Sequence, residues 1–194
     1  MAKAVVAVLF LAIALASPSA KGASKPSPSS DFIKSSCGST RYPYLCYHCL
    51  AGYANSVHRN ELSLARVALT VTLERARSVQ SFVSSMANTK GLNGLDAQAV
   101  KDCIETVGDS VDRLRQSIGE LKRAGPSVGS DFSYHVSNVQ TWVSAALTDE
   151  DTCLDGFEGT DGRMRAMLRR RIVNVARVTS VGLALVNRFA ARHA

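Results

Sequence analysis

Five cysteines, Cys37, Cys46, Cys49, Cys103 and Cys153, are the residues of this chain best suited to covalent chemistry. Cys46-x-x-Cys49 has the spacing of a redox pair, or of half a metal site with His48 or His58 as further ligands. Redox pairs of this kind sit on a strand-to-helix turn, which this stretch lacks, and no second Cys/His cluster completes a zinc site. Structural bridging is the better reading. Cys37 and Cys46 flank a turn, and a bridge between them would close a loop of about ten residues, contributing roughly 2.5–3 kcal/mol through chain entropy. Cys103 and Cys153 fall on successive helical segments that would meet if antiparallel; their bridge would close about fifty residues and contribute about 4 kcal/mol at most. Cys49 is then a free thiol buried along a helix, with redox, metal and intermolecular roles as the alternatives.

Catalysis needs groups that converge. The four histidines, His48, His58, His135 and His193, are scattered over the chain. Asp149, Glu150 and Asp151 are adjacent, so only some can share a helix face, and they read as a solvated acidic turn. No G-x-S-x-G motif marks a nucleophile. No catalytic residue, cofactor or metal is therefore expected, and the chain reads as a binding protein rather than an enzyme. Near the C-terminus, Arg163, Arg165, Arg169, Arg170, Arg171, Arg177, Arg188 and Arg192 follow Asp161 without an intervening acid. Arg163, Arg169, Arg170 and Arg171 are candidates for holding a polyanion by long-range attraction. The alternative is a solvated helix face whose later members complement the C-terminal dipole. Trp142 reads as a core residue at the edge of the core, with an interface anchor as the alternative.

The elements that must position these groups are helical. Leu62, Leu69, Ala76 and Val83 repeat at seven, as do Ala65, Thr72, Val79 and Met86. After Gly91–Gly94, with Asp96 as N-cap, the rows are Ala97, Ile104, Val111, Ile118 and Val100, Val107, Leu114, Leu121. Asp131 caps a third segment through Phe132, Val136, Val139, Val143 and Ala146, running past Cys153. The fourth spans residues 163–189, with rows Leu168, Val175, Gly182, Phe189 and Ile172, Thr179, Val186. Such seams must face neighbouring helices. Four long helices joined by short loops predict an all-α, up-and-down four-helix bundle over residues 60–192. Ahead of it, residues 31–57 hold a capped start at Ser30 and Asp31, a Tyr-Pro turn and a second short helix, which together make an N-terminal helical hairpin.

The N-terminus sets the compartment. Lys3 precedes the apolar run Ala4–Ala16, and Ala14 and Ala16 form an A-x-A pair, the layout of a secretory signal peptide over residues 1–20 with cleavage between 16 and 23. A membrane span needs roughly 18 or more apolar residues; this run is shorter, and no later segment is expected to anchor the chain. Residues 21–30 are Pro/Ser-rich and read as a flexible leader. The net charge of +7 favours acidic partners or an anionic matrix; secretion argues against nucleic acid. No N-x-S/T sequon invites N-glycosylation.

Three stretches bring a family into view. Cys37-GSTRYPYL-Cys46 resembles the opening C-x-x-T-x-Y-P-x-x-C hairpin of the plant invertase and pectin methylesterase inhibitor family, with Thr40, Tyr42 and Pro43 in place. Val100-KDC-IE and Val139-QTWVSAALTDEDTCLDGFEG resemble the family's third and fourth cysteine settings. The closing Ser180-VGLALVN fits more loosely, and Cys49 departs from the pattern. The resemblance covers residues 31–190 and makes 31–194 an inhibitor domain. It implies pairing of Cys37 with Cys46 and Cys103 with Cys153, and two disulfides on a four-helix bundle. It also implies non-covalent, stoichiometric blockade of a carbohydrate-active enzyme in the apoplast and cell wall. The Thr141–Thr148 wording and Cys153-LDGF resemble the pectin methylesterase inhibitors. The Pro-Lys-Phe tripeptide frequent in invertase inhibitors is absent from Arg123-AGPSVGSDF. Pectin methylesterase is the expected partner. Invertase is one alternative, and a non-inhibitory wall-binding protein is another. The expected target surface is the exposed side of residues 96–150, with Asp109, Asp112, Gln116, Asn138, Gln140 and Thr141 as candidates. De-esterified pectin is a further candidate partner for the basic helix.

Overall fold

The computed structural model describes residues 27–92, 94–160 and 162–193. The expected signal peptide and most of the expected leader lie outside the described residues. The described chain is helical: α1 (Pro28–Cys37), α2 (Pro43–Leu50), a 3-10 turn (Ala51–Tyr53), α3 (Ala54–Val57), α4 (Glu61–Met86), α5 (Gly94–Ala124), α6 (Gly129–Asp155) and α7 (Gly162–Ala191). Helices α4 to α7 close an up-and-down bundle in which α4 and α6 each pack on both α5 and α7.

The seven-residue rows account for that packing. Along α4, Ala65, Thr72, Val79 and Met86 are all buried, as are Leu69, Ala76 and Val83, while Leu62 is half-buried. All seven row residues of α7 are buried. In α5 one row, Val100 to Leu121, is buried throughout, but in the other Val111 is buried, Ile104 and Ile118 sit at the rim and Ala97 is exposed. An α-helix drifts about 20° per heptad against a strict repeat of seven, so Ala99, Cys103 and Ala124 enter the core instead. Gly182 sits where α7 packs tightly on α4. A Cβ there would meet Leu69 Cδ2 at 3.1 Å and Thr72 Oγ1 at 3.3 Å, so a larger residue would push the pair apart.

Helix starts differ from the expectation by two or three residues. Helices α5 and α6 begin at Gly94 and Gly129, so Asp96 and Asp131 lie in the first turn rather than at the cap. Both carboxylates still complement the positive end of the helix dipole. Helix α1 begins at Pro28, inside the stretch read as leader. Ser27 is its cap, accepting from Ser30 N at 3.2 Å, and Pro28 sits in the first turn, where a missing N–H costs nothing.

The hairpin has its own small core. Ile33, Cys37, Cys46, Leu50 and Val57 pack on Leu64, Ala68 and Val71 of α4 and on Val178, Val181 and Leu185 of α7. It rests on the α4–α7 side of the bundle. One bridge joins Cys37 to Cys46 across the hairpin turn (Cα–Cα 5.5 Å), and the other ties Cys103 of α5 to Cys153 of α6 (Cα–Cα 4.3 Å). Contrary to the sequence expectation, α7 is long and apolar enough by length and composition to cross a membrane, with a window of mean hydropathy 1.2. Half of that window is buried, and the buried apolar residues of α7 divide between the bundle seam and the hairpin core.

Candidate functional site

The α5–α6 pair presents the surface where the sequence placed its target-facing residues. Asp109, Asp112 and Gln116 recur at three and four residues along α5, so they share one face, and all three are exposed. Thr141 is exposed on α6. Two candidates are tied down. Asn138 is half-buried and donates from Nδ2 to Glu120 Oε1 at 3.0 Å, fastening α6 to α5. Gln140 is also half-buried, but it donates from Nε2 to Asn187 Oδ1 of α7 at 2.8 Å. Its neighbour on α7 turns it away from the α5 set. Asp112 accepts from Arg115 at 2.6 Å on the same exposed face. Arg113 Nε donates to Asp149 Oδ2 at 2.7 Å across the α5–α6 groove. Trp142 is half-buried beside the buried Val143.

Two buried carboxyls hold this pair of helices in register, and the sequence reading missed both. Glu150, read as part of a solvated turn, is fully buried on α6. Ser110 Oγ of α5 donates to its Oε1 at 3.0 Å, and Thr179 Oγ1 of α7 lies 2.9 Å from both carboxyl oxygens. Thr179 Oγ1 is also 3.0 Å from Val175 O. A single hydroxyl hydrogen cannot serve three acceptors. With Glu150 neutral, its O–H donates to Thr179 Oγ1, and the threonine hydrogen goes to the Val175 carbonyl. Burial pushes this carboxyl up to about 8, the two hydroxyls opposing the shift and Asp151 and Asp149 adding to it. The turn around it is partly solvated as expected: Asp151 is exposed and Asp149 half-buried. Burial raises both, with Arg113 opposing the rise at Asp149 and Asp155 adding to it at Asp151.

Glu120 of α5 is the opposite case. It is also buried, yet His135 Nδ1 lies 2.8 Å from its Oε1, Asn138 donates to the same oxygen, and Arg123 pairs with Oε2. Burial favours the neutral acid, but these three partners overcome it and hold the carboxyl down at about 2. The sequence signal for Glu150 was its place on the row Val136, Val139, Val143, Ala146, Glu150, Cys153, which is buried throughout.

The remaining candidates are dispersed. His48 stacks on Tyr44, His58 occupies a left-handed turn at φ 47°, His135 faces Glu120 and His193 packs on Phe189. Among the described residues no group of three His, Cys, Asp or Glu is placed to hold a metal ion. Cys46 is bridged, so Cys46 and Cys49 do not pair; Cys49 is a half-buried thiol 3.3 Å from Arg75 Nη2. On α7, Arg165 pairs with Glu158 and Arg188 with the buried Glu61 of α4; Arg192, just past the helix end, also pairs with Glu61. Arg169, Arg170, Arg171 and Arg177 form no salt bridge to another described residue. Arg163 stands at the start of α7 and does not line the depressions that Arg169, Arg170, Arg171 and Arg177 line.

The comparisons with known proteins agree with this architecture. The family model described as plant invertase/pectin methylesterase inhibitor matches residues 31–185. Pectinesterase inhibitor 9 of Arabidopsis thaliana is 52% identical over 84% of this chain and 83% of its own length. Pectinesterase inhibitor 11 of the same plant is 46% identical over the full length of both. The "21 kDa protein" of Daucus carota is 46% identical over 88% and 90%. A crystal structure of a mutant form of a pectin methylesterase inhibitor from Arabidopsis superposes with a TM-score of 0.65 at 20% identity, covering 80% of this chain and 95% of that one, a likeness of fold. From the cysteine framework through the bundle to these matches, the chain belongs to the plant invertase/pectin methylesterase inhibitor family.

Proposed function

We propose that this chain is a secreted inhibitor of pectin methylesterase, acting in the apoplast by non-covalent occlusion of the substrate cleft. The observation that carries the reading is its 52% identity, over most of both chains, to a protein named pectinesterase inhibitor 9. The bundle suits the task. A stapled α5–α6 pair offers a preorganised surface, and preorganisation removes much of the ordering cost of association. Asp109, Asp112, Gln116 and Thr141 present side chains on that surface without any reactive group. Asn138 supports it through its bond to Glu120 of α5, whereas Gln140 braces α6 against α7. The enzyme is blocked by burial of its cleft, and no bond is made or broken.

The apolar N-terminal run supports export. The invertase alternative draws support from the family name, whereas the relatives above that carry a target in their names are named for pectinesterase. The test is titration of a plant pectin methylesterase with the refolded mature chain, beside an acid invertase. Loss of esterase activity at near-equimolar protein, with invertase unaffected, is the expected result. Inhibition of invertase alone would overturn the choice of target.

A further inference from the structure

Helices α4 and α7 carry a basic groove between them that the inhibitory reading does not use. Beside Phe82 of α4, a depression of about 470 Å³ is lined by Ala166, Met167, Arg170 and Arg171. A second of about 330 Å³ continues along the seam between Arg75 and Ser78 of α4 and Arg170, Arg171 and Asn174 of α7. A third of about 450 Å³ opens beside it, bounded by Arg169, Arg170, Asn174 and Arg177. Arg170 lines all three, Arg171 the first two and Asn174 the last two, so they lie side by side. From Ala166 to Arg177 the groove runs about 17 Å at 1.5 Å per residue.

Its chemistry is specific. Arg169, Arg170, Arg171 and Arg177 have no carboxylate partner among the described residues, so their charge is available. Two of them rest on aromatic faces: Arg171 lies 4.0 Å from the Phe82 ring centroid and Arg177 5.5 Å from that of Tyr42. Such stacking orders a guanidinium while leaving its N–H fork open to a carboxylate. Arg75 is held in place by its hydrogen bond to Asn174 Oδ1 at 2.8 Å. Met167 is largely exposed at the groove wall and adds apolar surface. The acids nearby are few: Glu74, exposed one turn from Ser78 on α4, and Asp151, which shares a depression with Arg177 and Arg41 beyond the far end.

We infer that this α4–α7 groove binds a polyuronide, a polysaccharide with one carboxylate on each de-esterified sugar. Repeating carboxylates would meet the row of guanidinium forks, and the apolar C–H faces of the sugars would lie against Phe82 and Met167. The choice of a carboxylated polysaccharide over another polyanion rests on the proposed function, since hydrolysis of methyl esters on pectin leaves this polymer at the site of inhibition. The groove would then hold the inhibitor on the product of its target enzyme.

The experiment measures retention of the mature chain on immobilised polygalacturonate at increasing sodium chloride, without any enzyme present. Binding that weakens with salt, and falls about tenfold or more in the Arg170→Gln/Arg171→Gln variant, is expected for the loss of two charge-assisted contacts. A Lys101→Gln/Lys122→Gln variant removes the same net charge from exposed α5 positions and should bind as the parent does. Equal loss in both variants would mean general charge attraction and overturn the groove. Binding that ignores salt, or that favours double-stranded DNA or phosphatidylserine vesicles over polygalacturonate, would also overturn it. Because no esterase enters the assay, a failed titration of the enzyme and a failed groove are read separately.

Discussion

Helices α6 and α7 lie side by side, are 27 and 30 residues long, and carry opposite charge. Helix α6 has five carboxyls and neither lysine nor arginine; α7 has seven arginines and no acid. Ion pairs between the two would be the simple expectation, yet the buried α6 carboxyl, Glu150, meets Thr179 of α7 rather than an arginine. The arginines point outward or pair with Glu61 and Glu158. The lesson concerns segregation. A neutral acid joined to hydroxyls avoids the desolvation cost that a buried ion pair would carry, and Arg169, Arg170, Arg171 and Arg177 of α7 keep no carboxylate partner among the described residues. Glu120 shows the other solution within the same bundle: a buried carboxyl kept charged by His135, Asn138 and Arg123.

The largest effect that could break this comparison is a pH titration. Glu150 has its folded-state pKa raised to about 8, so the folded chain holds a proton that the unfolded chain has already lost. Its stabilising influence is full below about pH 4.5 and is lost as pH rises toward about 8, with a total on the order of 5 kcal/mol. Denaturant melts from pH 5 to 8 should show the slope, and Glu150→Gln should flatten it. An unchanged slope in the variant would assign the pH dependence to other groups. Glu120 has the reverse sign: its contribution is present above about pH 4.5 and fades as pH falls toward about 2.

The staple comes next. Replacing Cys103 and Cys153 together by serine should cost up to about 4 kcal/mol by releasing a loop of about fifty residues, read as a lower denaturation midpoint. A smaller loss is expected for Thr179→Val, about 1–3 kcal/mol, because it leaves the Glu150 carboxyl without its α7 partner. The smallest effect belongs to Arg170→Gln on α7. A solvated arginine without a salt bridge should change stability by no more than about 0.5 kcal/mol in the same melts. A large loss there would mean that the basic face is structural.

Much of this was legible in the sequence. The rows in residues 62–86 and 163–189 anticipated α4 and α7 to within a few residues, because buried seams repeat whatever else the helix carries. The cysteines marked which helices are neighbours, and the structure brings each expected pair together. What stayed hidden depended on partners from other helices. Glu150 sits on the buried row between Ala146 and Cys153, but its acidic neighbours Asp149 and Asp151 made the turn read as uniformly solvated. Gln140 looked like a surface residue until Asn187 of α7 claimed it. The pairing of Glu61 with Arg188 and Arg192 links the two ends of the bundle sequence, and no local pattern announces it. The caps failed for a milder reason: an acid in the first turn and an acid at the cap gain from the same dipole and look alike in sequence.

Inhibition through the exposed α5–α6 surface is the claim most directly open to test. The measurement is inhibition of a plant pectin methylesterase by the double variant Gln116→Arg/Thr141→Arg, beside the parent chain, with both shown to melt alike. The parent is expected to inhibit at near-equimolar protein and the variant to need about tenfold more, since two bulky charges at a packed interface cost at least about 1.4 kcal/mol. A variant that inhibits as well as the parent would contradict the claim and move the inhibitory surface elsewhere on the bundle.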